Sequence, residues 1–233
     1  MLPSERIILA RHMTPNGEIQ LQQRSLPDSS LAFEIISNGV FSMASYNQTS
    51  EVALARCALE TIPIVSNTAR RILVGGLGMG FTLQETLNYK VTAIDVVEIS
   101  PHIVDWNRVY FASLNRGVLA DPRVRLIQAD LYTFLCTSPA TTYHAILLDV
   151  DNGPSWLVDE KNARLYTPEA LERWSAMLIP GGSFAVWSAQ HEAEFLASLR
   201  AIFPHAEETL ITVPNQKGEP IEYFIYGATK SSV

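Results

Sequence analysis

From residue 70 onward the chain alternates short apolar runs with stretches of helical period. The runs RRILVGG (70–76), VTAIDVVEI (91–99), VRLIQAD (124–130), YHAILLD (143–149) and GSFAVWS (182–188) are dominated by Val, Ile and Leu, the composition of strands covered on both faces. Helical patterns lie between them over 80–89, 101–114, 167–178 and 191–202, with Pro101 and Pro168 where a first turn tolerates a missing N–H. The pattern over 167–178 is expected to stop at Pro180-Gly181-Gly182. Such alternation predicts successive βαβ units and an α/β, doubly wound, mainly parallel Rossmann-like sheet.

The two ends of the chain read differently. AEETLITVP and IEYFIYGATK flank the turn-rich NQKGEP, which predicts a terminal antiparallel hairpin at the sheet edge. At the other end IILARH, EIQLQQRS, AFEIISNG and VFSMASYN are short strand-like runs broken by Pro-Asn-Gly, Pro-Asp-Ser-Ser and Asn-Gly. Residues 1–50 are therefore expected to form a small N-terminal antiparallel β cap over the mouth of the sheet, with 51–233 as one compact ligand-binding domain. The edges of such a cap make a homodimer a natural arrangement.

Composition narrows the partners. The 233 residues carry a formal net charge of −7, which argues against nucleic acid, because phosphate binding needs clustered Lys and Arg. A small-molecule substrate is expected instead. No window reaches the apolar length of a membrane span and MLPSERIILARH does not read as a leader, so the cytoplasm is the expected compartment. Cys57 and Cys136 sit in apolar helical patterns without metal-ligand or CxxC spacing, which marks them as reduced packing residues. His102, His144, His191 and His205 are scattered, so no metal is expected.

Ligands of open α/β sheets sit at the carboxyl ends of the strands, and four such places carry chemistry. Gly75-Gly76-Leu77-Gly78-Met79-Gly80 is a turn where backbone can approach a ligand closely. Glu98 follows about 20 residues later, the spacing at which an acid accepts hydrogen bonds from ribose hydroxyls. Asp130 is suited to accept from an adenine amino group while Leu131 packs on the ring, and it is equally suited to cap a helix. Asp149-Val150-Asp151-Asn152-Gly153-Pro154 places two carboxylates and an amide after an apolar strand. Glu51 precedes the helical run VALARCALE, where the helix dipole alone would favour an acid. Trp156, Tyr166 and Trp187 are aromatic faces that could meet a cation or simply fill the core, and Asn162 either holds substrate or caps the next helix.

ILVGGLGMG, VVEISPHIV, VRLIQADLYTFL and AILLDVDNGP resemble, in order, the glycine motif, ribose acid, adenine motif and catalytic-loop strand of the spermidine synthase family, over about residues 38–205. The resemblance implies the class I methyltransferase fold and a donor site made by Gly75, Gly76, Leu77, Gly78, Glu98, Ile99, Asp130, Leu131 and Asp149. It implies a catalytic carboxylate at Asp149, and the residues themselves add Asp151 as a second candidate, with Ser50, Glu51, Asn152, Trp156 and Tyr166 as candidate substrate contacts. In that family an amine displaces the three-carbon arm of a sulfonium and methylthioadenosine leaves.

The chain departs from the family at three places. The Asp that usually follows the glycines of GGGDGG, and contacts the amino end of decarboxylated S-adenosylmethionine, is Gly78 after Leu77. The Tyr-Gln-Glu signature is absent from Gln48-Thr49-Ser50-Glu51-Val52, and the Gln expected after the cap turn is Ser42. The Ser-Ser-Asp-Pro after the catalytic Asp is Val150-Asp151-Asn152-Gly153. Losing an anion near the donor's amino end removes repulsion against an α-carboxylate, so intact S-adenosylmethionine is the expected substrate in preference to its decarboxylated form. Arm transfer to a small amine, ring closure of the donor on itself to azetidine-2-carboxylate, methyl transfer, and nucleotide binding without catalysis all remain open on these residues.

Overall fold

The computed structural model describes residues 6–26, 28–62, 69–138, 142–215 and 217–232. The chain divides into two compact units, Met1–Gln48 and Thr49–Val233. The first is a four-stranded antiparallel meander of β1 (Arg6–Thr14), β2 (Gly17–Ser25), β3 (Leu31–Ser37) and β4 (Val40–Ala44). Turns fall at the predicted Asn16-Gly17 and Asn38-Gly39, while Pro27 of the predicted Pro-Asp-Ser-Ser turn lies outside the described residues. Asn38 and Gly39 both take positive φ between β3 and β4, the backbone that an Asn-Gly hairpin turn requires. Alternation buries Leu21 and its partner Ile35 on one face, and Ala32 and Ala44 on the other.

The second unit starts with α1 (Thr49–Glu60) and continues through β5 (Arg71–Gly75), α2 (Phe81–Leu87), β6 (Ala93–Glu98), α3 (Pro101–Val109), β7 (Val124–Gln128), α4 (Leu131–Thr137), β8 (Tyr143–Leu148), α5 (Pro168–Ala176), β9 (Leu178–Ser188), α6 (Ala193–Ile202), β10 (Glu207–Pro214) and β11 (Pro220–Thr229). Its seven strands lie in the order β10-β11-β9-β8-β5-β6-β7. β5 to β9 pair in parallel, and β11 runs antiparallel between β9 and β10. The expected terminal hairpin is present, with β10 as its outer edge.

The strands are buried on both faces, as parallel strands covered by helices must be: Ile72, Leu73 and Val74 of β5 and Ile146, Leu147 and Leu148 of β8 are at most 1% exposed. Trp174, Phe184, Phe203 and Tyr226 fill the space beneath α5 and α6. At the amino ends of β5 to β7, Asp95 is held by Arg71, Arg125 and the Tyr143 hydroxyl at 2.7 Å each. That ion cluster satisfies a buried charge at the end of the sheet away from the glycine turn.

Two expectations are corrected. The helix near 167–178 ends at Ala176, and Pro180-Gly181-Gly182 lies inside β9, which begins at Leu178. The proline needs no ladder donor there, and Gly181 and Gly182 bond instead to Lys230 after β11. Cys136 is exposed and Cys57 half-buried. On α4 the buried positions are Leu131 and Leu135, so Cys136 falls on the outer face.

Candidate functional site

Successive strands leave β5 in opposite directions, β6 and β7 to one side and β8 and β9 to the other. The crevice outside the carboxyl ends of β5 and β8 is therefore the topological switch point, where ligands of such sheets bind. Backbone bonds continue past the strands: Asp149 N–H donates to the Gly75 carbonyl (2.8 Å) and Gly76 N–H to the Val97 carbonyl (2.9 Å). Gly76 has φ 89, and a Cβ there would stand 2.0 Å from the Asp149 carbonyl oxygen. Only glycine permits that approach.

The glycine turn is tied down from behind. Asn107 Nδ2 donates to the Gly78 carbonyl (2.8 Å), and Asn115 Nδ2 donates to the Met79 carbonyl (2.9 Å) and to Asn107 Oδ1 (2.8 Å). Glu98, 8% exposed, accepts from the N–H of Leu77 (2.9 Å) and of Ser100 (2.7 Å). Burial pushes its carboxyl up, and these backbone donors oppose the shift. Leu77 is buried, whereas neighbouring Ile99 is 53% exposed at the end of β6, an apolar face open for a ring to cover.

Asp130 caps α4: its Oδ1 accepts from Thr133 N–H (2.7 Å) and Oγ1–H (2.6 Å), and its Oδ2 accepts from Arg164 Nη2 (2.9 Å). Burial raises its pKa, but the Thr133 and Arg164 donors outweigh that and the net direction is down. Leu131 is buried against Gly75, where an added Cβ would meet its Cδ2 at 2.6 Å. The capping reading of Asp130 is thus observed, with one further lone-pair direction left on Oδ2.

Two carboxylates distant in sequence meet behind the β8 end. Thr82 Oγ1 donates to Asp149 Oδ2 (2.6 Å) and also reaches the Glu51 carbonyl (3.4 Å), while Ser50 Oγ donates to Glu51 Oε2 (2.7 Å). Glu51 is 7% exposed, and burial first, then the charge of Asp149, pushes its carboxyl up to about 7. Asp149 is likewise raised by burial, against the pull of the Thr82 hydroxyl. The dipole alone does not account for Glu51, because a helix-end carboxylate has no need to be buried beside another acid.

Asp151 is buried too. Its Oδ1 accepts from Val158 N–H (2.9 Å) and Asn162 Nδ2 (3.2 Å), whereas its buried Oδ2 has no partner. Burial raises this carboxyl as well. The Tyr166 hydroxyl lies in the field of Asp151, Asp149 and Glu192, and its pKa is pushed well above the ordinary tyrosine value by burial and then by those charges. Its ring packs edge-on against Phe195.

The sequence-selected residues separate into groups. Ser50, Glu51 and Asp149 come together, Asp149 and Asp151 both act on the Tyr166 hydroxyl, and Gly75, Gly76, Leu77, Gly78 and Glu98 line the adjoining turn. Asn152 contributes its carbonyl to the Ala189 N–H (2.8 Å). Trp156 is 48% exposed. Trp187 stacks obliquely on Tyr223 with its buried Nε1 unpartnered. Sequence reading missed Thr82, Asn107, Asn115, Arg164 and Glu192. Only for Arg164, beside the selected Asn162, was there a local signal.

Among the described residues no group of three or more His, Cys, Asp or Glu gathers as a metal-ligand set, and no helix is long and apolar enough to cross a membrane.

Comparison with known proteins places the chain in a family. The spermine/spermidine synthase domain matches residues 51–231. A polyamine aminopropyltransferase of Aeropyrum pernix is 28% identical over 163 residues, 65% of this chain and 50% of that protein. Putrescine N-methyltransferase 3 of Nicotiana tabacum is 31% identical over 148 residues, 60% of this chain and 36% of that protein. The chain thus spans half or less of the length of these two relatives. A spermidine synthase solved in complex with the transition state analogue AdoDATO superposes with a TM-score of 0.76 at 16% identity, covering 97% of this chain and 74% of that one. The spermidine synthase from Thermotoga maritima gives 0.73 at 15% identity, covering 97% and 73%. The chain belongs to the spermine/spermidine synthase domain family, and its seven-stranded unit has the class I methyltransferase-like fold of the spermidine synthases.

Proposed function

We propose that this chain is an enzyme that alkylates an amine with S-adenosylmethionine, displacing the three-carbon arm of the sulfonium and releasing methylthioadenosine. The observation that carries this reading is the meeting of buried Glu51 with half-buried Asp149 at the switch point, with Asp151 buried two residues further on and one of its oxygens without a partner. An amine arrives as an ammonium ion and attacks only after losing a proton. A carboxylate raised by burial is matched to accept that proton near neutral pH. In the step the N–C bond forms, the C–S bond breaks with its electron pair passing to sulfur, and the proton goes to Asp149 or Asp151.

The glycine turn supports the donor assignment: Gly76 lets the turn close onto the Asp149 carbonyl and so holds the two strand ends together at the crevice, Glu98 suits the ribose, and Ile99 offers an apolar face to the base. Gly78 brings no carboxylate to the donor's amino end, which supports intact S-adenosylmethionine over the decarboxylated form. With that donor, its own α-amine can attack its γ-carbon and close azetidine-2-carboxylate without a second substrate. Likeness to a putrescine N-methyltransferase supports methyl transfer as the second reading.

The test is to incubate purified protein with S-adenosylmethionine alone, with added putrescine, and with the decarboxylated donor plus putrescine, and to follow products by mass spectrometry. Methylthioadenosine supports arm displacement, and a ring-closed amino acid from the donor alone identifies cyclisation. S-adenosylhomocysteine would replace the leading reading with methyl transfer. Ligand bound but unchanged under all three conditions would overturn catalysis and leave a nucleotide-binding protein.

A further inference from the structure

Arg164 belongs to no motif of the glycine turn, yet its contacts lead to the base end of the crevice. It sits in the short 3-10 stretch Glu160–Leu165, which is anchored at several points. Asp159 Oδ1 accepts from Lys161 N–H (3.0 Å), Asn162 Nδ2 reaches Asp151 Oδ1 (3.2 Å), and Trp174 Nε1 donates to the Leu165 carbonyl (3.1 Å). From this fixed backbone the guanidinium lies over the Tyr132 ring, with Cζ 4.6 Å from the centroid, and its Nη2 holds Asp130 Oδ2 at 2.9 Å. Stacking and ion pairing on one planar group restrict its orientation more than either does alone.

A carboxylate offers about four acceptor directions. On Asp130 two are used on Oδ1 by Thr133, and one on Oδ2 by Arg164. We propose that Arg164 is a positioning residue for nucleobase selection: it aims the one remaining acceptor direction of Asp130 Oδ2, so that a 6-amino purine is taken in preference to a 6-oxo purine. This rests on the adenosyl-ligand reading above. The downward direction of the Asp130 pKa is consistent with it, since an ionised carboxylate only accepts and repels the oxo group of hypoxanthine. Because Asn162 in the same stretch bonds Asp151, the base end and Asp151 are joined through one short segment.

The test is calorimetric binding of methylthioadenosine and of methylthioinosine to the wild type, R164M and R164K, with thermal melts to register folding. The wild type is expected to prefer the adenine compound. R164M is expected to lose about tenfold of that preference, the equivalent of one hydrogen bond to a charged group, through weaker methylthioadenosine binding with methylthioinosine little changed. R164K, which keeps a donor without the fork, is expected to fall between. A merely structural role would weaken both ligands alike, and an unchanged ratio in both variants overturns the proposal. If R164M does not fold, the ratio in R164K and in Y132L, which removes the stacking face, decides. Wild type that binds neither compound overturns the adenosyl-ligand reading and this inference with it. Wild type that binds both equally overturns this inference alone.

Discussion

Glu51→Gln is expected to stabilise the protein above neutral pH while damaging its activity. The folded carboxyl titrates at about 7, against an ordinary value of 4.5, because it is buried and faces Asp149. Between those two values the folded state holds a proton that the unfolded state has released. Stability therefore falls as pH rises through that window, and the cost is complete above the folded value. The gap from 4.5 to about 7, at about 1.36 kcal/mol per pH unit, corresponds to on the order of 3 kcal/mol. Glutamine cannot ionise, and its amide oxygen can still accept the Ser50 hydroxyl bond of 2.7 Å, so the variant escapes most of that cost. Urea unfolding of both proteins between about pH 4 and pH 9 reads the difference directly. The curves are expected to coincide near the acid end and diverge in favour of E51Q as pH rises. A difference that is flat with pH would refute the claim that burial beside Asp149 holds this carboxyl protonated in the fold.

Three further outcomes follow from the same site. Thr82→Val keeps the shape but removes the 2.6 Å donor to Asp149, which raises the Asp149 carboxyl further; the acid limb of the kcat/KM profile is expected to move to higher pH, with about a tenfold loss at neutral pH. Asp151→Asn keeps an acceptor for Val158 and removes a buried charge whose Oδ2 lacks a partner, so melting is expected to be unchanged or improved by about 1 kcal/mol while product formation drops at least about tenfold. Gly76→Ala places a Cβ 2.0 Å from the Asp149 carbonyl at φ 89; chemical denaturation is expected to show a loss of about 2–4 kcal/mol, and binding of S-adenosylmethionine measured by calorimetry is expected to disappear.

The strands and the order of the motifs are legible along the chain. Apolar runs of strand length, the Asn38-Gly39 turn, the glycine turn after β5 and the acids after β6, β7 and β8 are local signals, because period, turn chemistry and strand-end position are written within a few residues. The end of α5 is illegible for the same local reason: Pro180-Gly181-Gly182 reads as a break, and pairing of the segment with Tyr143 of β8 and with Lys230 after β11 makes it strand. Which acids share an environment emerges only when the chain is folded. Glu51 on α1 reaches Asp149 through Thr82, Asp130 spends its oxygens on Thr133 and on Arg164, and Asp151 is left with a bare oxygen. No local pattern carries those facts, because desolvation and hydrogen-bond satisfaction depend on everything that encloses a side chain. The chemistry was therefore visible as residue types at strand ends, and its assignment to particular atoms came only with the folded chain.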